Sequence, residues 1–356
     1  MKMILIVAAV ACLCASLSAG VAQAQDKTYI LSKSDMHVPA DNLMSGPGLQ
    51  EKIDLGRQLF FDPRLSSTGT VSCNSCHNVM AGGEDSVRTS TGVKGQLGGR
   101  NSPTVWNSAF HSVQFWDGRA NLLEDQAKGP VTNPIEMGMK DHTMAVARLQ
   151  KIDGYRDSFA KVFGGKASAK DVITIDKVAK AIAAYERTLV TENSPFDRFN
   201  AGDAKALSAD AKKGWETFQK TGCVACHSGA HFSGPEMPIG TGFYQKFPLM
   251  PDANLEKAYG FSKDLGRFDV TKSEGDKNTW RVPTLRNIAL TAPYFHNGAV
   301  SDLSEAVRVM GKVQLGKDLS KSEIKSIAAF LNSLTGEFPK QEMPRLPAYP
   351  NAAFVD

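Results

Sequence analysis

The chain has 356 residues, 42% of them hydrophobic and 22% charged, with a formal net charge of +4 at pH 7. That balance is one of a globular protein with length for two domains, and it excludes the basic excess of a nucleic-acid binder and the repeated apolar runs of a multi-span membrane protein. A docking site for a charged partner therefore has to be a local patch.

In chain order, the first signal is an export segment: Lys2, an apolar run from Met3 to Leu17, and small residues at Ala22-Gln23-Ala24. The pattern predicts a signal peptide over residues 1–24, cleaved after Ala24, and a periplasmic destination. Cys12 and Cys14 fall inside it. Lipoprotein processing is the alternative, but Ala9-Val10-Ala11 before Cys12 lacks the usual leucine. No later run has membrane-spanning length.

A helical segment with Gly56-Arg57-Gln58-Leu59-Phe60 then leads to Cys73-Asn74-Ser75-Cys76-His77. A Gly- and Pro-rich stretch from Gly82 to Pro103 follows, too long for a simple connector and suited to wrapping a cofactor. Val172 to Leu189, with Val178, Ile182 and Leu189 at helical spacing, predicts an amphipathic helix closing the first unit. Ser194-Pro195 opens the second. Ser208 is a predicted N-cap for a helix to Lys220, which carries Gly214-Trp215-Glu216-Thr217-Phe218, a weak repeat of the earlier segment. Cys223-Val224-Ala225-Cys226-His227 comes next, then a second irregular stretch from Gly229 to Pro251. Ser320-Lys321-Ser322-Glu323 reads as a capping box for a helix from Glu323 to Leu334.

The two Cys-x-x-Cys-His strings carry the chemistry. That spacing attaches c-type haem: two thiols bond the porphyrin vinyls and the adjacent histidine reaches the iron. With 6 Cys and 7 His in the chain, one chance match is expected on the order of a few thousandths, and two are dismissed. Zinc would want more thiols near each pair, and no βαβ pattern supports a thioredoxin-like dithiol. The sequence thus predicts two covalently bound haem c groups, on Cys73 and Cys76 and on Cys223 and Cys226.

Beyond these motifs the chain resembles the bacterial di-haem cytochrome c peroxidases, from about Leu55 to Pro339. The resemblance is carried by Leu59-Phe60-Phe61-Asp62-Pro63-Arg64-Leu65-Ser66, Arg100-Asn101-Ser102-Pro103-Thr104, Gln114-Phe115-Trp116-Asp117-Gly118-Arg119, Gln126-Ala127-Lys128-Gly129-Pro130, and Pro283-Thr284-Leu285-Arg286-Asn287 through Ala292-Pro293-Tyr294-Phe295-His296. It implies a mainly α fold of two cytochrome c-like haem domains with long irregular loops: a peroxidatic domain over 25–190, an electron-transfer domain over 191–340 and a tail over 341–356.

The same resemblance implies His77 and His227 as proximal iron ligands and Met310 as the second ligand of the C-terminal haem; Met237 and Met250 are nearer in sequence but sit in Pro-flanked loops. It implies Glu136 as the acid–base group over the N-terminal haem with Gln126 as its neutral partner, and Trp116 between the haems. It also implies a calcium ion at the domain junction, held by the Asn101 side chain and backbone oxygens near Arg281 and Pro283. Hydrogen peroxide is the implied substrate, a periplasmic cytochrome c or small copper protein the donor, and a homodimer the assembly. His296 resembles a residue near the edge of the second haem. His231 is too close to His227 to fold back on the same iron, and His37 and His142 carry no readable signal.

One position departs from the family pattern. Many members have a histidine that closes the peroxidatic iron at rest, and Val93 stands in its place. The expectation is an N-terminal iron that is open, or holds only water, in the fully oxidised protein; His111 is the nearest downstream histidine that could close it instead. Two other readings are kept. A di-haem electron carrier or redox sensor would need no Glu136 and Gln126, and a related protein-modifying oxidase would have tyrosine where Met310 stands.

Overall fold

The computed structural model describes residues 27–349, so the expected signal peptide, Cys12 and Cys14 lie outside the described residues. The chain is mostly helical with little sheet. The helices are α1 (Leu49–Phe61), α2 (Cys73–Cys76), α3 (Leu123–Thr132), α4 (His142–Gln150), α5 (Asp153–Phe163), α6 (Ile175–Glu186), α7 (Pro195–Asn200), α8 (Ala209–Thr221), α9 (Ala253–Tyr259), α10 (Phe268–Thr271), α11 (Leu303–Leu315) and α12 (Lys321–Asn332). The strands β1 (Tyr244–Lys246) and β2 (Thr279–Arg281) pair antiparallel, Tyr244 opposite Arg281. The sequence did not signal this pairing, because three-residue strands carry too little alternation to read.

The caps that the sequence marks are formed. Ser208 accepts from the Ala211 amide, and Ser320 and Glu323 make a reciprocal box. The helix expected from Val172 begins at Ile175 instead, because the Thr174 hydroxyl accepts from the Lys177 amide and sets the start there. Val172 and Ile173 are nonetheless buried, so they are apolar without being helical.

The weak repeat has a structural reason. α1 packs on α6 and α8 packs on α12, and at each crossing the repeated glycine meets the partner's backbone. A Cβ on Gly56 would lie 1.8 Å from the Ala181 carbonyl oxygen, and one on Gly214 would lie 1.8 Å from that of Ser326. Tyr185 and Phe330, four residues further along the partner helices, close both contacts at 3.0 and 2.9 Å from the same points. Around each crossing lies an apolar core: one gathers residues between Leu55 and Leu189, the other Phe196 to Leu334 together with Tyr29.

The two ends of the described chain tie these cores together. Tyr29 packs against Trp215, Phe196 and Phe232, while Asn42 donates to Glu124 at 2.7 Å in the first core. From the other end, the carbonyls of Arg345 and Pro347 accept from Gln58 and Arg64. The tail beyond residue 340 thus returns to the N-terminal half.

Helix propensity alone favours Ala over Gly by about 1 kcal/mol, yet Gly214→Ala is expected to lower the unfolding free energy by about 1–3 kcal/mol through overpacking against Ser326. Denaturant unfolding of the haem-loaded protein reads the sign directly.

Candidate functional site

A second internal repeat builds the site. Ser102-Pro103-Thr104-Val105-Trp106-Asn107 and Val282-Pro283-Thr284-Leu285-Arg286-Asn287 lie 180 residues apart (282 minus 102). They fold alike: the threonine hydroxyls donate to Gly82 O and His231 O at 2.6 and 2.7 Å, and both asparagines are left-handed, with φ of 62° and 61°. The correspondence continues to Phe115 and Phe295, at φ of 67° and 71°, each followed by the side chain that the loop exists to place, Trp116 and His296.

Two backbone bonds are exchanged across the seam between the halves. The Asn101 amide donates to His296 O at 2.8 Å, and the Arg281 amide donates to Trp116 O at 2.9 Å. The Trp116 indole N–H also donates to Asn101 O at 2.8 Å. Thr191 locks the same seam: its amide donates to Asn107, and its hydroxyl accepts from the amide groups of Asn107 and Asn287 at 2.8 and 3.0 Å.

On either side of this seam is a cavity. The N-terminal one, about 350 Å³, is lined by Cys76, His77, Gln126, Glu136 and, unforeseen from the sequence, Glu186. The C-terminal one, about 230 Å³, is lined by Cys223, Cys226, His227, Met310 and His296. Trp116, His111, Asn101 and Arg281 line both. Neither Met237 nor Met250 lines the second cavity, and Met250 is 48% exposed. His296 stacks on Trp280 with centroids 4.0 Å apart. Asn101, Arg281 and Pro283 are brought to the seam together; among the described residues no cluster of three or more His, Cys, Asp or Glu could hold a metal ion, so a cation there would rely on neutral oxygens.

The donor set fits a haem in each cavity. His77 Nδ1 meets Pro103 O and His227 Nδ1 meets Phe232 O, both at 3.0 Å. A ring whose Nδ1–H is held in this way presents Nε2 as the ligating atom. Burial lowers the pKa of both histidines and raises that of all four motif cysteines, with Cys76 pushed up to about 11. A redox-active Cys-x-x-Cys needs the opposite shift. Arg281 is fully buried, and burial lowers its pKa to about 10. Its Nε donates to Phe115 O and its Nη1 faces His111, and it forms no ion pair among the described residues. A cation held so at the wall of both cavities suits an anionic group on the edge of a cofactor.

The acid–base candidate sits on a turn after α3. Glu136 is half-buried and accepts from Asn133 Nδ2 at 2.8 Å; burial raises its pKa, opposed by Arg119. Its backbone carbonyl accepts from the Val93 amide at 2.9 Å. The Val93 side chain is 2% exposed, belongs to the N-terminal core, and does not line the cavity. His111 is buried with its ring 4.5 Å from that of His231, and both its nitrogens lie within 2.9 Å of Arg281 Nη1. His142 is the first residue of α4, which Asp141 caps, and its ring reaches Lys128 O; His37 takes no part in either cavity.

Comparison with known proteins places these features. Residues 50–205 match the family model described as di-haem cytochrome c peroxidase. The chain is 47% identical to the cytochrome c551 peroxidase of Pseudomonas aeruginosa, over 86% of this chain and 85% of that protein. It is 44% identical to the cytochrome c551 peroxidase of Nitrosomonas europaea, over 85% of each. Among solved structures it is similar to a MauG-like protein associated with microbial copper homeostasis, with 31% identity, a TM-score of 0.73, and coverage of 87% of this chain and 94% of that one.

Asn107 is fully buried and makes two bonds to Thr191 from a left-handed backbone. Asn107→Ala leaves the Thr191 amide without its acceptor, and a loss of about 2–3 kcal/mol in unfolding free energy is expected, measurable by denaturant unfolding.

Proposed function

The chain belongs to the di-haem cytochrome c peroxidase family and is a cytochrome c peroxidase, and from that premise we propose that it works in the periplasm, reducing hydrogen peroxide to water with electrons from a small cytochrome c or copper protein. The observation that carries this reading is an asymmetry. Carboxylates line the N-terminal cavity, at Glu136, Glu186 and Asp264, and none lines the C-terminal one among the described residues. A pure electron carrier has no use for that difference. Met310 in the second cavity, where a protein-modifying oxidase would have tyrosine, favours the peroxidase over that reading.

When bound, the haems supply iron that takes peroxide at one site and electrons at the other. The chain's own residues supply the rest. His77 and His227 would each hold an iron through Nε2, and Met310 would supply its thioether to the second. Glu136 in its ionised form takes the proton from the inner peroxide oxygen and returns it to the outer one, so that water leaves. Gln126 holds the same peroxide by a neutral hydrogen bond. The overall balance is H2O2 with two electrons and two protons giving two waters. Trp116, which lines both cavities and is bonded to both halves, shortens the path between them. Residues 25–190 and 191–340 form the two haem domains, wrapped by the stretches Gly82 to Pro103 and Gly229 to Pro251. Asn101 with backbone oxygens of Arg281 and Pro283 holds a structural calcium at the seam, and the active form is a homodimer.

Val93 bears on the resting state. Its side chain is committed to the core and His111 is engaged by Arg281, so neither closes the N-terminal iron. Fully oxidised enzyme is expected to oxidise reduced cytochrome c with peroxide as fast as enzyme given one electron beforehand. Activity only after pre-reduction, together with an electron paramagnetic resonance spectrum of two low-spin haems, would overturn the open resting site.

Glu136→Gln removes the base and is expected to lower kcat by about 10²–10⁴-fold with haem spectra unchanged. Because burial raises the Glu136 pKa and the ionised form is the base, wild-type turnover falls as pH drops through that raised value. The fall begins at higher pH than for an ordinary carboxylate and is absent from the residual activity of the variant.

A further inference from the structure

Glu186 ends α6 and has no part in the roles assigned above. It is 4% exposed, one carboxyl oxygen has no hydrogen-bond partner, and it lines the N-terminal cavity with Cys76 and His77. An unpartnered buried carboxyl costs on the order of 1–3 kcal/mol, so the fold gains nothing by keeping it for structure.

The pseudo-symmetry of the molecule shows that the position itself does not demand an acid. Gly56 meets Ala181 and Tyr185 as Gly214 meets Ser326 and Phe330. The residue after Tyr185 is Glu186, and the residue after Phe330 is Leu331, which lines the C-terminal cavity. The same place on the same helix, facing the cavity of its own half, holds an apolar side chain in one half and a carboxylic acid in the other.

Among the described residues Glu186 makes no ion pair, and the cations near it have other partners. Arg187 turns to Glu124 on α3 and pairs with it at 2.6 and 2.9 Å; Glu124 also accepts from Asn42. On α1, Arg57 pairs with Asp54 at 2.8 Å. On α4, Arg148 donates to the carbonyls of Arg64 and Ser66. On α2, Cys73 is the thiol whose titration feels Glu186, and the haem linkage removes that titration. Glu136 and Asp264 line the same cavity, and so do Arg100, Arg119 and Arg281; Arg100 pairs with Asp117 and Asp264, Arg119 pairs with Asp117, and Arg281 donates to Phe115 O. Burial is the largest influence on Glu186, with Arg187 and Glu124 opposing one another, and its pKa is raised to about 8. Its titration is thereby moved out of the usual carboxylate range toward neutral and mildly alkaline pH, where the charge on a neighbouring iron can decide which form is present.

We propose that Glu186 is a proton-holding residue of the N-terminal cavity, taking up one proton when the haem attached at Cys73 and Cys76 gains an electron and releasing it when that electron leaves. The step balances: one electron arrives from the donor protein and takes ferric iron to ferrous, one proton arrives from solvent and takes the carboxylate to the carboxylic acid, and the charge of the cavity is unchanged. In a water-poor site that compensation favours the electron's arrival. The inference rests on the family's haem at Cys73 and Cys76 and not on Glu136 or on peroxide being the substrate.

The test is a spectroelectrochemical titration of the holoenzyme across neutral and alkaline pH, without peroxide, so that a failure of the peroxidase reading leaves it interpretable. In the wild type, the midpoint potential of the N-terminal haem is expected to fall as pH rises, by up to about 59 mV per tenfold change in proton activity for one proton per electron. Glu186→Gln is expected to flatten that slope, while Glu136→Gln keeps it. A pH-independent wild type, an unchanged slope in Glu186→Gln, or a slope lost only in Glu136→Gln would each overturn the assignment. If the glutamine variant does not load haem, Glu186→Leu, the residue of the other half, gives the same reading. Infrared redox-difference spectra of the unaltered enzyme give an independent one: a protonated-carboxyl band that grows on reduction and shifts in D2O is expected, and its absence refutes the proposal.

Discussion

The exchanged pair of backbone bonds, Asn101 to His296 and Arg281 to Trp116, is the constraint on which the rest of the molecule depends. Each bond runs from one half to the loop that carries the other half's central side chain. Neither loop can shift without disturbing a cavity on its own side and a hydrogen bond on the far side. Because backbone amides buried at such a seam cannot be left unpaired without a cost of about 1–3 kcal/mol each, the two cavities are held at one fixed relation. Trp116 lines both of them as a consequence, and its indole N–H is in turn tied to Asn101.

Upon a near-symmetric scaffold the two cavities are made chemically unlike. The helix crossings, the Pro-Thr turns and the left-handed asparagines repeat, while the side chains facing the cavities do not: Glu186 stands against Leu331, and Trp116 against His296. The shared features are those that backbone geometry requires, namely a glycine at a crossing and an asparagine at positive φ. The differing ones face the cofactor, where chemistry selects them. Both halves keep the arrangement in which a backbone carbonyl holds Nδ1 of the motif histidine, which fixes the ring and leaves Nε2 as the free nitrogen in each.

Arg281 illustrates how the cofactors enter the stability of the fold. A guanidinium buried with no carboxylate in contact is an expensive group, and its neighbours His111 and His231 are driven neutral by burial and by its charge. Such a cluster is coherent in a protein whose haems bring anionic groups to the same place. It is coherent also with thiols whose pKa values burial raises, because their destination is a covalent linkage and not exchange.

Several levels of this structure were legible in the sequence. The two haem motifs, the caps at Ser208 and Ser320, and the helical character are local, encoded in spacings of a few residues. The motifs that carry the family resemblance converge in space: Glu136 and Gln126 line the N-terminal cavity, Met310 the C-terminal one and Trp116 both. Val172 and Ile173 show the limit of periodicity, which cannot separate a buried lead-in from a first helical turn. The Pro-Thr repeat at 180 residues was present in the letters and would have pointed to the seam and to Arg281. Glu186 could not have been found, because Ala-Tyr-Glu-Arg reads as the solvated end of a helix. Only the tertiary structure decides that Arg187 is claimed by Glu124, that α6 turns its last residue toward a cavity, and that one oxygen of that carboxyl is left without a hydrogen-bond partner. Sequence by itself marked the two Cys-x-x-Cys-His strings as the places to expect haem, since attachment is a matter of covalent spacing. Burial decided the protonation state and the partner of each titratable group, since both depend on what packs against it from elsewhere in the chain.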